Sequence, residues 1–268
     1  MKNASKMAKL VLFAALFVAV QSPRALFAFG GGENVEKTTL TLAAAASLKN
    51  AFDGKLIPQF QAKYPNVAID GTYASSGNLQ TQIENGLVAD VFFSAALTQM
   101  NALATKGFVN DADVVKLLQN KLVLIKKKGS TTTVADFAGV ARAKTVAIGD
   151  PKSVPAGQYA QEAFTKLGNW AAVNAAGKAS LGADVTQVLG WVAAGSAEVG
   201  VVYATDAASN ADVEVIAVLQ DGVLAAPVIY PVAVTAKSAH TAQAKLFVDY
   251  LASPEGIAVF KEYGFAQN

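Results

Sequence analysis

Short apolar runs alternating with helix-length stretches narrow the folds open to this chain more than any other feature. The segments 39–44, 67–73, 90–95, 121–126, 145–148, 199–203, 213–219 and 228–235 read as strands. Between and after them, 48–64, 78–85, 155–167, 184–194, 242–252 and 254–263 read as helices. In the first of these, Leu48, Phe52, Ile57, Phe60 and Tyr64 supply the apolar positions, and Pro58 predicts a break and restart, because proline lacks an N–H and disfavours a helical predecessor. Alternation of this kind implies an α/β fold of mostly parallel sheets flanked by helices, with ligands held at the carboxyl ends of strands. Pattern alone leaves the number of sheets open.

Four short loops fall at such strand ends and open helices: Ala46-Ser47-Leu48, Ala74-Ser75-Ser76-Gly77, Val154-Pro155-Ala156-Gly157 and the stretch around Asp184-Val185. A helix start offers unpaired N–H groups and the positive end of a dipole, so it suits an anion. Lys49 and Lys152 stand only at the margins of these loops. Taken singly, each loop has an ordinary explanation. Ser47 could be an N-cap, Ser75-Ser76-Gly77 a plain turn with Asn78 as the cap, and Pro155 a residue suited to a first helical turn. Tyr203 could be a core tyrosine bonded to a carbonyl.

Composition bounds the partners. Lys2, Lys6 and Lys9 precede an uncharged apolar stretch over 10–20, and Ala28-Phe29-Gly30 offers a small-x-small site. These features predict a cleavable export signal over 1–30. Lys2, Lys6, Lys9 and Arg24 account for four of the 22 Lys+Arg, leaving 18 against 20 Asp+Glu, a net charge of −2 for the remainder. No basic stripe interleaved with aromatics remains, which argues against nucleic acid. The chain has no cysteine, hence no disulfide, thiolate metal site or lipobox lipid. The expected location is the periplasm, and the expected state a monomer.

Beside these readings stands a resemblance. The runs AAAASL, YASSGNLQTQIENG, ADVFFSA, GDPKSVPAGQYAQEAFTKLG, VGVVYATDA, YPVAV and FVDYLASPEG…FKEYGF are similar to the molybdate-binding proteins of bacterial ABC importers, in the same order along the chain. The resemblance implies a two-lobed (type II) periplasmic binding protein, with one lobe over 36–119 plus 229–268 and the other over 120–228. The crossovers fall near Gln119–Asn120 and Val228–Pro231. It implies molybdate or tungstate as ligand, the membrane permease of an ABC transporter as partner, and no cofactor. It also implies contacts: hydroxyls of Ser47 and Ser76, backbone N–H groups of Ala156 and Val185, and the hydroxyl of Tyr203. Where the family often has a third serine this chain has Gly77, which leaves Ser75 as well as Ser76 a candidate ligand.

The chemistry of the ligand agrees with such a set. Molybdate is a dianion at neutral pH and only accepts hydrogen bonds, and serine, tyrosine and backbone N–H all donate. Phosphate would need an acceptor for its proton, for which Asp150 and Asp184 are the nearby carboxylates. The rival readings are a sulfate or phosphate binder, a ferric-iron binder using Tyr203 and Tyr230, and a hydrolase. The iron reading lacks the carboxylate and histidine ligands expected beside paired tyrosines. The hydrolase reading lacks a G-x-S-x-G elbow, and the sole histidine, His240, lies in a polar turn. Asp90, at the start of a strand, reads as a structural cap or pair.

Overall fold

The strands sort into two mixed sheets. β1 (Thr38–Ala45) runs parallel to its neighbours β2 (Val67–Ala74) and β3 (Val91–Phe93). After β4 (Val115–Asn120) the chain passes to a second sheet and builds β5 (Leu122–Lys127), β6 (Val146–Gly149), β7 (Ala179–Gly182), β8 (Val199–Tyr203) and β9 (Val213–Val218). It then returns with β10 (Val228–Val234) and the short β11 (Ala266–Gln267). The orders are β11-β4-β10-β3-β1-β2 and β7-β6-β8-β5-β9. This computed structural model describes residues 37–268; the leader expected over 1–30 lies outside them. Residues 36–268 pack as one compact unit, and none of the described helices is long and apolar enough to cross a membrane.

Most strands of each sheet share one direction. The exceptions are β10, antiparallel to both β3 and β4, with β11 running back beside β4, and β5, antiparallel to β8 and β9. These returning strands bring antiparallel pairings into sheets whose helix-bearing strands are parallel, a common arrangement in doubly wound folds.

Two local readings are corrected. The first long helix does not break at Pro58. Lys49–Ala51 continues through a π turn at Phe52–Leu56 into Ile57–Lys63, which carries the proline in its first turn. The wider turn absorbs the missing N–H and the crowding that proline imposes on the carbonyl four residues back. The following helix begins at Ser76, with Ser75 rather than Asn78 at the cap position.

Aromatic packing anchors the first sheet. Phe60 and Phe247 meet edge to face at 4.8 Å, and Phe52 lies 6.0 Å from both Phe93 and Phe260. Asp90 is structural, as expected: its Oδ2 accepts from Thr41 N–H at 2.8 Å, and its Oδ1 from the Ser238 hydroxyl at 2.6 Å.

Candidate functional site

The loops singled out in the sequence meet in space. A small pocket lies at the carboxyl ends of β1, β2, β6, β7 and β8, and Ser47, Ser76, Ala156, Val185 and Tyr203 all line it. Ser75 lines it too, and its lining contains no lysine or arginine.

The backbone supplies part of the donor set. Helices begin at Ser76, Pro155 and Val185, each without an acidic residue in its first turn. Their first N–H groups have no intrahelical acceptor, although at the Val185 helix the capping carboxylate of Asp184 takes the Gln187 N–H. Pro155 occupies a position whose N–H would be unpaired in any case. Gly157 allows this turn to rest on the end of β6: a Cβ there would come within 2.6 Å of the Gly149 carbonyl carbon. That close approach carries the Ala156 N–H to the pocket wall.

Side-chain hydroxyls supply the rest, and their hydrogen bonds constrain which way the protons point. Asn120 Oδ1 accepts from Lys121 N–H at 2.9 Å, which sets the amide orientation, and Nδ2 donates to Thr205 Oγ1 at 2.9 Å and to the Tyr230 hydroxyl at 3.3 Å. Tyr230 lies 3.0 Å from Ser47 Oγ. Either hydroxyl can donate to the other; where Tyr230, which already accepts from Asn120, is the donor, the Ser47 proton is left to the pocket. Ser76 Oγ accepts from the Ala95 N–H at 2.9 Å, which leaves its proton free in the same sense. Two buried hydroxyls, Ser75 Oγ and Tyr203 Oη, have no hydrogen-bond partner among the described residues. A buried polar group without a partner is costly, so both are explained by an acceptor in the pocket.

Charge around the pocket is kept low. Burial, the largest cause, pushes the Tyr203 and Tyr230 phenols well above their ordinary range, so both stay neutral donors. Beneath Tyr203 the buried Asp206 accepts its N–H at 3.0 Å. Burial raises the Asp206 carboxyl from the ordinary 3.8 to about 7, against the lowering effect of that hydrogen bond.

Sequence reading did not find this second layer. Asn120, Thr205 and Asp206 carry no local motif, and Tyr230 entered only as a possible iron ligand. Tyr203 and Tyr230 do meet, ring edge to face at 5.5 Å, but no cluster of carboxylates and histidine that could complete a ferric site stands among the described residues. Asp150, the other carboxylate considered for phosphate, does not line the pocket. Asp184 does, but its Oδ1 is engaged by the Gln187 N–H at 2.9 Å as a helix cap. A larger cavity of about 360 Å3 lies where the chain crosses between sheets. There Lys121 and Asp221 face each other at 4.0 Å in solvent, and no orphaned donor points into it.

The sequence family of bacterial extracellular solute-binding proteins matches residues 40–266. The chain belongs to that family. Among its relatives, the molybdate-binding protein ModA of Escherichia coli (strain K12) is 35% identical over 245 residues, covering 89% of this chain and 93% of that protein. ModA of Haemophilus influenzae is 34% identical, covering 85% and 89% respectively. The solved periplasmic molybdate-binding protein of Azotobacter vinelandii superposes with a TM-score of 0.73 at 24% identity, over 85% of this chain and 98% of that one. The likeness to that structure establishes the two-sheet fold of a periplasmic binding protein. Solute-binding proteins are not an enzyme class, and the pocket, lined by donors, agrees with holding a solute.

Proposed function

We propose that this chain captures molybdate, or its near-isostere tungstate, in the pocket between the two sheets and delivers it to the membrane permease of an ABC importer. The observation that carries this reading is the uniform polarity of the site. Serine and tyrosine hydroxyls and helix-start N–H groups all present hydrogens, and Ser75 Oγ and Tyr203 Oη are buried without any other partner. An acceptor-only dianion satisfies every one of them. Neutral donors also avoid a buried ion pair, whose desolvation can cancel its attraction. The names of the 34–35% identical relatives support the choice of anion. In this reading Ser47, Ser76, Ala156, Val185 and Tyr203 hold the oxyanion, the two sheets are the cores of two lobes that close on it, and no catalysis occurs. The protein acts as a periplasmic monomer after loss of its leader.

The test is thermal denaturation of ligand-stripped protein with molybdate, tungstate, sulfate and phosphate. A ligand that binds only the folded state contributes about 2.7 kcal/mol at a hundred times its dissociation constant. For a chain of this size that raises the midpoint by about 5–11 °C. Molybdate and tungstate are expected to produce this rise and the two non-metal oxyanions little of it. A larger rise with sulfate would reassign the ligand, and a flat response to both metal oxyanions would overturn the reading.

Tyr203→Phe separates binding from folding. The hydroxyl it removes has no partner among the described residues, so the variant is expected to be as stable as the parent without anion. With molybdate it forfeits one hydrogen bond to a charged acceptor, a loss of about 10- to 150-fold in affinity. Calorimetric titration beside denaturant unfolding reads both. Unchanged affinity would remove Tyr203 from the donor set.

A further inference from the structure

A contact between the two sheets is made without any donor in the pocket. Gly77, on the first turn of the Ser76–Glu84 helix, donates its N–H to the Ser153 carbonyl at 2.9 Å. Ser153 lies in the loop between β6 and the Pro155–Lys166 helix, so the bond joins the first sheet's helix to the second sheet's loop. Beside it, Gln99 Nε2 on the Leu97–Thr105 helix donates to Gln158 Oε1 at 3.1 Å, again from one sheet's helix to the other's. The first contact stands next to residues that line the pocket: Gly77 follows Ser76, and Ser153 precedes the turn that carries Ala156.

Nothing within its own helix requires glycine at position 77. Its backbone is not left-handed, since it is absent from the glycines with positive φ, and alanine is the better helix former. The approach of Ser153 does require it. A Cβ on Gly77 would lie 2.8 Å from Ser153 Cα and 2.9 Å from its carbonyl carbon, with the carbonyl oxygen closer still. These are backbone atoms, which cannot swing aside as a side-chain tip can. Any side chain at this place requires the Ser153 backbone to shift.

We propose that Gly77 is an affinity-determining residue that never touches the anion: its bare backbone latches the two sheets together over the pocket. The inference rests on the reading of the pocket as a molybdate site closed by two lobes. Any side chain at 77 lowers the fraction of molecules in the joined, binding-competent arrangement, and apparent affinity falls in proportion to that fraction. Because the helix itself tolerates or prefers alanine, the loss appears in binding and not in folding. A residue that served only helix stability would behave in the opposite way.

The experiment compares wild type with Gly77→Ala, Gly77→Ser and Gly77→Val. Molybdate titration, anion-free melting and small-angle scattering with and without molybdate are measured for each. The expected result is a molybdate dissociation constant raised at least tenfold by alanine and further by serine and valine. Melting of the anion-free protein should be unchanged or slightly raised in the alanine variant. Compaction on adding molybdate should require correspondingly more ligand. Alanine and serine variants that bind as tightly as wild type would overturn the latch while leaving the molybdate reading intact. Variants that melt well below wild type without anion would also overturn it, placing Gly77 in the fold instead. If wild type itself does not bind molybdate, the functional reading falls. The latch is then judged by scattering alone: a larger radius of gyration for Gly77→Val than for wild type supports it, and equal radii overturn it.

Discussion

Ser76→Ala is expected to weaken molybdate binding by about 10- to 150-fold and also to cost the protein about 1–3 kcal/mol of stability without any anion. The double effect follows from the two bonds its hydroxyl can make. Its oxygen accepts from the Ala95 N–H at 2.9 Å in a site with no solvent access, and its proton is left for the pocket. Alanine removes the acceptor and strands a buried N–H, whose desolvation nothing then offsets. It also removes the donor to the oxyanion. The stability loss is a fraction of the roughly 5–15 kcal/mol that holds a domain together, so the variant folds. Denaturant unfolding without anion and calorimetric titration with molybdate read the two effects separately. If stability falls and affinity does not, Ser76 only supports Ala95, and the direct ligand is its neighbour. Ser75→Ala, which removes an unpartnered hydroxyl, should then show the reverse pattern of unchanged stability and lost affinity.

The contrast between these serines shows where sequence reading reaches and where it stops. The loops around Ser47, Ser76, Ala156 and Val185 were legible as strand ends that open helices, whereas the choice of these residues and of Tyr203 as one set came from the family resemblance; all five line one pocket. Their assembly around one pocket follows from parallel strands sharing a carboxyl end. The layer behind them was not legible. Asn120 reaches Tyr230 across 110 positions and Tyr230 reaches Ser47 across 183, and no local spacing encodes such meetings. Several elements escaped notice, three of them for plain physical reasons. The Leu97–Thr105 helix is built largely of alanine, threonine and polar residues and shows little periodic contrast. β7 is four residues long and only partly buried. β4 is separated from β5 by the single residue Lys121, so the pair reads as one run. Pro58 misled in the other direction, since a π turn upstream accommodates it without breaking the helix.

The second large effect concerns Asp206, whose burial makes the fold sensitive to pH. Its carboxyl titrates near 3.8 when exposed and near 7 in the folded protein, because burial disfavours the charge more than the Tyr203 N–H favours it and the Asp184 charge adds repulsion. The folded state therefore holds a proton that the unfolded state has released. Below about pH 4 both states are protonated and Asp206 contributes no pH dependence. As pH rises from about 4 to about 7, the unfolded chain ionises freely and the folded one does not, so stability falls through this window. Above about 7 both are ionised and the loss is complete. The interval between 3.8 and about 7 corresponds to roughly 4 kcal/mol. The Asp206→Asn variant keeps an amide oxygen to accept the Tyr203 N–H and has no charge to bury. Asp53, Glu84 and Glu214 have carboxyls held low, and they give both proteins a common slope of opposite sign. The informative quantity is thus the difference between Asp206→Asn and wild type, measured by denaturant unfolding at several pH values. That difference is expected to grow in favour of the variant from pH 4 to 7 and to stay level above. A difference that does not change with pH would mean that Asp206 titrates as an ordinary carboxylate, and that the environment beneath Tyr203 is far more polar than its burial implies.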